Sequence, residues 1–195
     1  MNIYSTQNDL LLNNLLTFYN KDDNFQKMLA VVTGESRVSL RIVDWFSTNY
    51  AKKYYTVYII YDVNNELAGI YIPERRFKVY NDYKLKLKAY SKKRFDPFCR
   101  WERITVPYKN GSLIQTTIGQ LNFFKWVIEN KVIEYIEEHY DAIEADMNNR
   151  NSTSKKKEAI TNSDNSKTRK KREELSISAT KSVKREDVEI ILSFN

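Results

Sequence analysis

The clearest structural signal in this chain is a helical repeat of apolar residues between residues 117 and 147. Thr117-Ile118-Gly119-Gln120 has the S/T-x-x-E/Q form of a capping box, which predicts that a helix begins there. Apolar side chains then recur every three or four residues, at Leu121, Phe124, Val127, Ile128, Val132, Tyr135, Ile136 and Ile143. Such a stripe has to be covered by a second layer. We therefore expect one long helix over 117–147 that packs across a sheet.

The residues before this helix have strand character and supply the predicted sheet, over residues 54–116. Segments rich in aromatic and β-branched residues, or alternating in polarity, occur at 54–61, 70–72, 77–80, 83–90, 100–107 and 113–116. Asn64-Asn65 predicts a hairpin turn between the first two, and Lys109-Asn110-Gly111 a turn between the last two. The expected middle of the chain is an antiparallel sheet of about four to five strands.

Residues 1–50 are predicted to form a helical part, with amphipathic helices at 8–20, 22–33 and 38–50. Gly34 stands where a glycine commonly ends a helix, and Ser36 or Ser39 can cap the start of the third helix. Together with the sheet and the long helix, this predicts a single α+β domain over 1–147.

The rest of the chain is predicted to be a disordered basic linker, 148–173, followed by a strand-like segment, 174–195. The linker holds two basic runs, 155–157 and 167–172. They have the form of a bipartite nuclear signal or a nucleic-acid-binding arm, and equally that of a solvated charged linker. The last segment can return to the protein's own sheet or add a strand to a partner.

Residues 74–103 are the most basic part of the chain, with eleven Lys or Arg against four acids. Within it, Lys84, Lys86 and Lys88 alternate with apolar residues, so a strand would place all three ammonium groups on one face. Such a face suits a polyanion, most plausibly nucleic acid; the alternative is a solvated basic surface. The predicted nucleic-acid-binding residues are Arg75, Arg76, Lys84, Lys86, Lys88, Lys92, Lys93, Arg94, Arg100 and Arg103.

The segment from Asp96 to Arg103 combines aromatic and charged residues and has two interpretations. Phe98 and Trp101 can stack on bases while Arg100 and Arg103 hold phosphates. Alternatively, Pro97 makes a turn, the aromatic residues fill the core and Asp96 pairs with a cation, which the usual burial of large aromatics favours.

Several kinds of chemistry are excluded or disfavoured by composition. One histidine and one cysteine cannot build a Cys/His zinc site, and no phosphate-binding glycine motif occurs. A catalytic pair of Cys99 and His139 is disfavoured against a packed cysteine and a packed or surface histidine. Asp44, beside Trp45, is expected to be a cap or an ion-pair partner, with Arg41 nearby. We expect no enzyme activity, no cofactor, no metal, no secretory signal and no membrane association.

Three segments resemble an uncharacterised protein family of nucleocytoplasmic large DNA viruses, of mimivirus and phycodnavirus type. They are residues 39–46 (SLRIVDWF), 86–100 (KLKAYSKKRFDPFCR) and 117–124 (TIGQLNFF). The resemblance covers about residues 36–150. It implies a viral setting and no particular reaction, and it fits the abundance of Asn, Lys, Ile and Tyr, which AT-rich codons encode.

The resulting hypothesis is a non-enzymatic basic viral protein that binds nucleic acid, DNA or RNA, in genome organisation, transcription or replication. The alternative is a virion or assembly protein whose basic face and C-terminal strand dock a protein partner. The expected location is intracellular, in the host cytoplasm (virus factory) or nucleus, or in the virion.

Overall fold

The computed structural model describes residues 7–67, 70–99, 102–161 and 184–186. The three amino-terminal helices are confirmed as α1 (Gln7–Tyr19), α2 (Asn24–Thr33) and α3 (Leu40–Trp45). Gly34 ends α2 in the left-handed conformation, with φ +82°, which glycine adopts without steric cost. Ser39 caps α3, its hydroxyl accepting a hydrogen bond from the Ile42 N–H at 3.4 Å. The helix continues as a π-helix, Phe46–Tyr50, and then as α4, Ala51–Lys53.

The first predicted hairpin forms, but its turn is not at Asn64-Asn65 as predicted, because both residues lie within its first strand. Strands β1 (Val57–Leu67) and β2 (Ile70–Lys78) pair antiparallel, with Val57 opposite Lys78 and Tyr58 opposite Phe77. Tyr58 and Phe77 turn their rings toward the core, 5.4 Å apart between centroids.

The strand predicted at 83–90, together with the second half of 77–80, is wrong, because Val79–Tyr90 forms helix α5. Val79, Tyr83, Leu87 and Tyr90 are spaced by three or four residues and lie on its inner side, where Val79 is fully buried. Lysine, leucine and alanine favour helix over strand, so the alternating lysines are compatible with the helical conformation of this segment.

The single central sheet of four to five strands is likewise wrong, since the described strands form two separate sheets. In the second sheet, β3 (Arg103–Pro107) pairs antiparallel with β4 (Leu113–Thr117), and β5 (Lys184–Glu186) lies on the other edge of β4. Helix α5 occupies the chain between the two hairpins, and none of the described strands joins them. Short 3-10 helices, Lys92–Arg94 and Lys109–Gly111, complete this region.

The long helix expected over 117–147 is divided into α6 (Ile118–Glu129), α7 (Val132–Glu138) and α8 (Tyr140–Thr161). Its predicted start is confirmed, because the Thr117 hydroxyl accepts a hydrogen bond from the Gln120 N–H at 3.1 Å. It breaks at Asn130 and at Lys131, which has a left-handed φ of +53°.

The predicted linker requires a correction, because α8 continues through 148–161 instead of ending near Met147. The packed first turns of α8, with Ile143 and Met147 buried, provide the nucleus from which a polar sequence can extend a helix. Residues 162–173 of the linker, and the strand-like segments predicted on either side of 184–186, lie outside the described residues.

Helix α6 lies at the centre of the core, with nine of its twelve residues buried. The Tyr19 hydroxyl of α1 donates to the Leu121 carbonyl at 2.6 Å, and Asn122 Nδ2 donates to the Arg94 carbonyl at 3.0 Å. Around it, the ring of Phe95 lies 5.8–6.0 Å from those of Tyr83, Tyr90, Phe123 and Trp126, measured between centroids. The α+β class is thus confirmed, with a helix rather than a sheet at its centre.

Asp146 connects α8 to the amino-terminal helices. Its carboxylate accepts hydrogen bonds from Trp45 Nε1 at 3.1 Å and from the Tyr54 hydroxyl at 3.2 Å, and it pairs with Lys53. Partial burial opposes ionisation, but the hydrogen bonds from Lys53 and Trp45 hold the pKa of Asp146 below its ordinary value. Among the described residues, no helix has the length and hydropathy needed to cross a lipid bilayer.

We predict that Gly119→Ala destabilises the fold. An added Cβ would lie 2.9 Å from the Asp96 carbonyl oxygen and 3.0 Å from the Lys93 carbonyl oxygen, both of them backbone atoms. The expected loss is about 1–3 kcal/mol in the free energy of unfolding, measured by urea denaturation. Without that contact, alanine in a helix would stabilise by about 1 kcal/mol, so a more stable variant would contradict the packing described here.

Candidate nucleic-acid interface

Helix α5 divides the three lysines of the predicted strand between two sides. Lys84 and Lys88 are exposed and lie one turn apart on its outer side, whereas Lys86 is half-buried. At 3.6 residues per turn, Lys86 is rotated by about 160° from Lys84. The structure therefore brings together two of the three lysines, beside Leu85, whose side chain is 65% exposed.

Acidic side chains do not neutralise the outer side of α5. Residues 75–94 contain nine Lys or Arg and one acid, Asp82. Asp82 accepts a hydrogen bond from Trp126 Nε1 at 2.6 Å, so its carboxylate is directed at the central helix. Within the described parts of the chain, no salt bridge involves Lys84 or Lys88.

Two further lysines, absent from the prediction, extend this surface. Lys78 is exposed at the end of β2, immediately before α5. The ammonium of Lys52 on α4 lies 5.6 Å from the centroid of the Tyr80 ring on α5. Lys78 could have been found from its place in the basic segment, whereas Lys52 joins it only through the packing of α4 on α5.

The remaining predicted residues near α5 are partly engaged with acids or with the core. Lys92 Nζ lies 3.8 Å from Asp96 Oδ2, and Lys93 pairs with Glu102. Arg94 is half-buried. These three residues form the 3-10 helix that directly follows α5, so the structure places them beside Lys88.

The predicted arginines are more dispersed. Arg76 is exposed on β2, but the Arg75 guanidinium donates to Asn130 Oδ1 at the break after α6. Arg103 belongs to the second sheet, where it donates to Gln115 Oε1 at 3.1 Å. Arg100 lies outside the described residues.

The segment around Asp96 forms a turn. Asp96 Oδ1 accepts the Phe98 N–H at 2.9 Å, and the Asp96 carbonyl accepts the Cys99 N–H at 3.0 Å. Phe98 packs against the core, as the structural interpretation expects, while Trp101 lies outside the described residues. Cys99 is buried, and the exposed His139 stacks on Tyr135 with a centroid distance of 4.2 Å.

The three segments that resemble a viral family converge in the structure. Gly119 and Asn122 of the third segment pack on the backbone of Lys93, Arg94 and Asp96 in the second, as described above. Asp44 of the first segment is close enough to Asp96 to influence its ionisation. Burial first, then the charge of Asp96, raises the pKa of Asp44 to about 6, and Lys92 opposes the shift. Sequence reasoning did not anticipate this pair of carboxylates.

The Tyr83 hydroxyl belongs to the same neighbourhood. Burial, followed by the charges of Asp44 and Asp96, raises its pKa to about 12. Among the described residues, no group of three or more His, Cys, Asp or Glu side chains could hold a metal ion. Asp44 and Asp96 thus come close together from two sequence-distant segments, beside Tyr83 of α5.

Comparison with known proteins gives one family and one curated relative. A protein-family model described as a family of unknown function (DUF7197) matches residues 2–195. "Uncharacterized protein L507" of Acanthamoeba polyphaga mimivirus is 44% identical over 141 residues, which cover 70% of this chain and 51% of the relative. The chain thus spans about half of that relative's length. No solved structure matches. The predicted resemblance to an uncharacterised family of large DNA viruses is confirmed.

We predict that the raised pKa of Asp44 makes stability fall as pH rises. The folded protein holds this proton up to about pH 6, whereas the unfolded chain releases it near its ordinary value of 3.8. Between these values the folded state binds more protons, so the free energy of unfolding decreases with pH by up to about 3 kcal/mol.

Asp44→Asn should therefore flatten the stability profile between pH 4 and 6 and raise the free energy of unfolding at pH 7.5 by about 1–3 kcal/mol. Urea denaturation across this range measures both. Glu137→Gln, at an exposed acid on α7, is the matched control. A profile for Asp44→Asn parallel to that of the wild type would contradict the prediction.

Proposed function

We propose that this protein, which belongs to the family of unknown function DUF7197, is a non-enzymatic basic viral protein that binds nucleic acid. Its role would be accessory, in genome organisation, transcription or replication. The observation that carries the proposal is the outer side of α5, where Lys84 and Lys88 are exposed and the one acid within the helix, Asp82, accepts a hydrogen bond from Trp126.

Elementary electrostatics supports a polyanion as the ligand of this surface. Each lysine that neutralises a phosphate releases condensed counterions, so a row of unneutralised lysines favours nucleic acid at low salt. Lys84 and Lys88 stand one helical turn apart, and Lys78 and Lys52 extend the positive surface beyond them. Lysine contacts phosphate as a point charge, whereas the planar guanidinium of arginine makes two parallel hydrogen bonds. We therefore expect this helix to bind the phosphate backbone of the nucleic acid with little base preference.

A viral origin is supported by the mimivirus relative, and it implies a location in an infected cell or in the virion. The compartment follows from the proposed ligand. A protein that binds the viral genome or its transcripts would occur in a cytoplasmic virus factory, in the nucleus or packaged in the virion.

The alternative function is a virion or assembly protein whose basic face and C-terminal strand dock a protein partner. Lys184–Glu186 of that segment pairs with β4 of its own chain. Because this pairing uses backbone hydrogen-bonding groups that strand addition to a partner would need, we rank the alternative second.

We predict that Lys84→Gln/Lys88→Gln weakens binding to nucleic acid and flattens its salt dependence. Loss of two phosphate contacts should reduce the log–log salt slope by about 2 on duplex DNA, with a smaller reduction on single strands. Fluorescence anisotropy with labelled duplex and single-stranded DNA and RNA, between about 50 and 200 mM salt, measures affinity and slope.

Two controls test the geometry as well as the charge. Lys86→Gln removes one charge from the same helix, but from its half-buried side, so it should change the slope by less than either outer lysine does. Lys21→Gln/Lys27→Gln removes two exposed lysines near and within α2 and should leave affinity within twofold. Equal effects of all these variants would indicate attraction by net charge alone, and absence of wild-type binding at the lowest salt would exclude the proposed function.

A further inference from the structure

The outer face of β1 is an exposed apolar stripe. Seven large apolar or tyrosine side chains are exposed in the described chain, and four of them occupy alternate positions along this one segment. These four are Tyr55, Val57, Ile59 and Tyr61. Val57, Ile59 and Tyr61 are alternate residues of β1 and point to the same face, and Tyr55 lies in the turn just before the strand. This face therefore concentrates the exposed apolar surface of the molecule, which marks it as an interaction surface.

The neighbouring strand adds positive charge to the same face. Lys78 lies opposite Val57 and Arg76 lies opposite Ile59, and both basic residues are exposed. Directly opposite residues of an antiparallel pair share a face of the sheet. The other face, with Ile60 and Phe77, is buried in the core. An open depression of about 540 Å³ is lined by residues of both faces of the hairpin, namely Val57, Tyr58, Ile59, Arg75 and Arg76.

Tyr55 begins the stripe in an unusual conformation. Its φ is +50°, in the left-handed region that a bulky side chain rarely adopts, and its side chain is 86% exposed. Such a conformation costs on the order of 1 kcal/mol, and no ring contact with another described residue accompanies it. Strained backbone conformations cluster at ligand-binding and active sites, so Tyr55 is a candidate ligand contact.

We propose that this face, defined by Tyr55, Val57, Ile59, Arg76 and Lys78 and here called the hairpin platform, binds unpaired bases of single-stranded nucleic acid. The inference rests on the proposed function and names its substrate class. Aromatic and apolar side chains take the faces of successive bases, while adjacent cations contact the phosphates. Lys78 directly precedes α5, so the hairpin platform is continuous with the lysines of that helix.

Charge complementarity decides between the hairpin platform's possible occupants. A second copy of the chain, paired about a two-fold axis, would bring Arg76 and Lys78 of each copy toward those of the other, which is unfavourable. A duplex offers phosphates to the cations, but its bases are already stacked on one another, so the apolar stripe would remain uncovered. A single strand satisfies the apolar and the basic residues together.

The test compares single-stranded with duplex ligands for the variant Tyr55→Asn/Ile59→Thr. Asparagine tolerates the left-handed conformation and threonine keeps a β-branched side chain, so the hairpin should remain folded. We expect affinity for single-stranded DNA and RNA to fall by about fivefold or more, while affinity for duplex DNA changes by less than twofold. Leu10→Gln, at an exposed apolar residue of α1, is the control and should change neither.

The outcomes separate this inference from the proposed function. If the platform variant binds single strands like the wild type while Lys84→Gln/Lys88→Gln weakens binding, the protein binds nucleic acid but the platform does not hold bases. If the wild type binds no nucleic acid, both proposals fail. An independent readout is ultraviolet cross-linking to single-stranded RNA, which should label the tryptic peptide 54–75; labelling confined to other peptides would overturn the inference.

Discussion

The burial of nine of the twelve residues of α6 is the constraint on which the rest of the structure depends. The charged residues of this helix, Lys125 and Glu129, share one face, so other elements must cover its remaining faces. Its polar residues are accommodated by specific partners: Asn122 donates to the Arg94 carbonyl, and Gln120 Oε1 accepts from the Thr116 hydroxyl at 2.8 Å. Because an unpaired buried polar group costs about 1–3 kcal/mol, these contacts also determine which segments can lie against the helix.

Features decided by a few neighbouring residues could be predicted from the sequence. Gly34 ends α2, Ser39 caps α3 and Thr117 caps α6, and each depends on hydrogen bonds or backbone freedom within one turn. The pairing of β1 with β2 was predictable from the aromatic and β-branched residues of 54–61, whereas the position of the turn was not. The viral family, too, was recognisable from three short segments, although their convergence around Asp44, Asp96 and Gly119 is visible only in three dimensions.

The error at α5 has a definite physical cause. Residues 83–90 satisfy a two-residue alternation and a helical stripe at once, and a short segment cannot separate these periods. The deciding signal was Val79, four residues before Tyr83, together with the strong helix propensity of lysine and leucine. That single choice also produced the incorrect central sheet, because only a strand at this position could have joined the two hairpins. It altered the candidate interface in turn, since it placed Lys86 on a different side from Lys84 and Lys88.

The break between α6 and α7 positions the hairpin of β1 and β2, because both strands form hydrogen bonds to Asn130. Asn130 is buried; its carbonyl accepts the Tyr58 hydroxyl at 2.6 Å, its side-chain oxygen accepts the Arg75 guanidinium and its amide donates to the Trp126 carbonyl at 2.6 Å. Hydrogen bonds to Asn130, at the end of α6, therefore hold the two strands against the interior of the protein. By thermodynamic linkage, a ligand that binds the hairpin only while these hydrogen bonds are intact also stabilises the central helix against unfolding. Binding of a ligand to the hairpin surface would then slow amide hydrogen exchange in α6, in the interior of the protein.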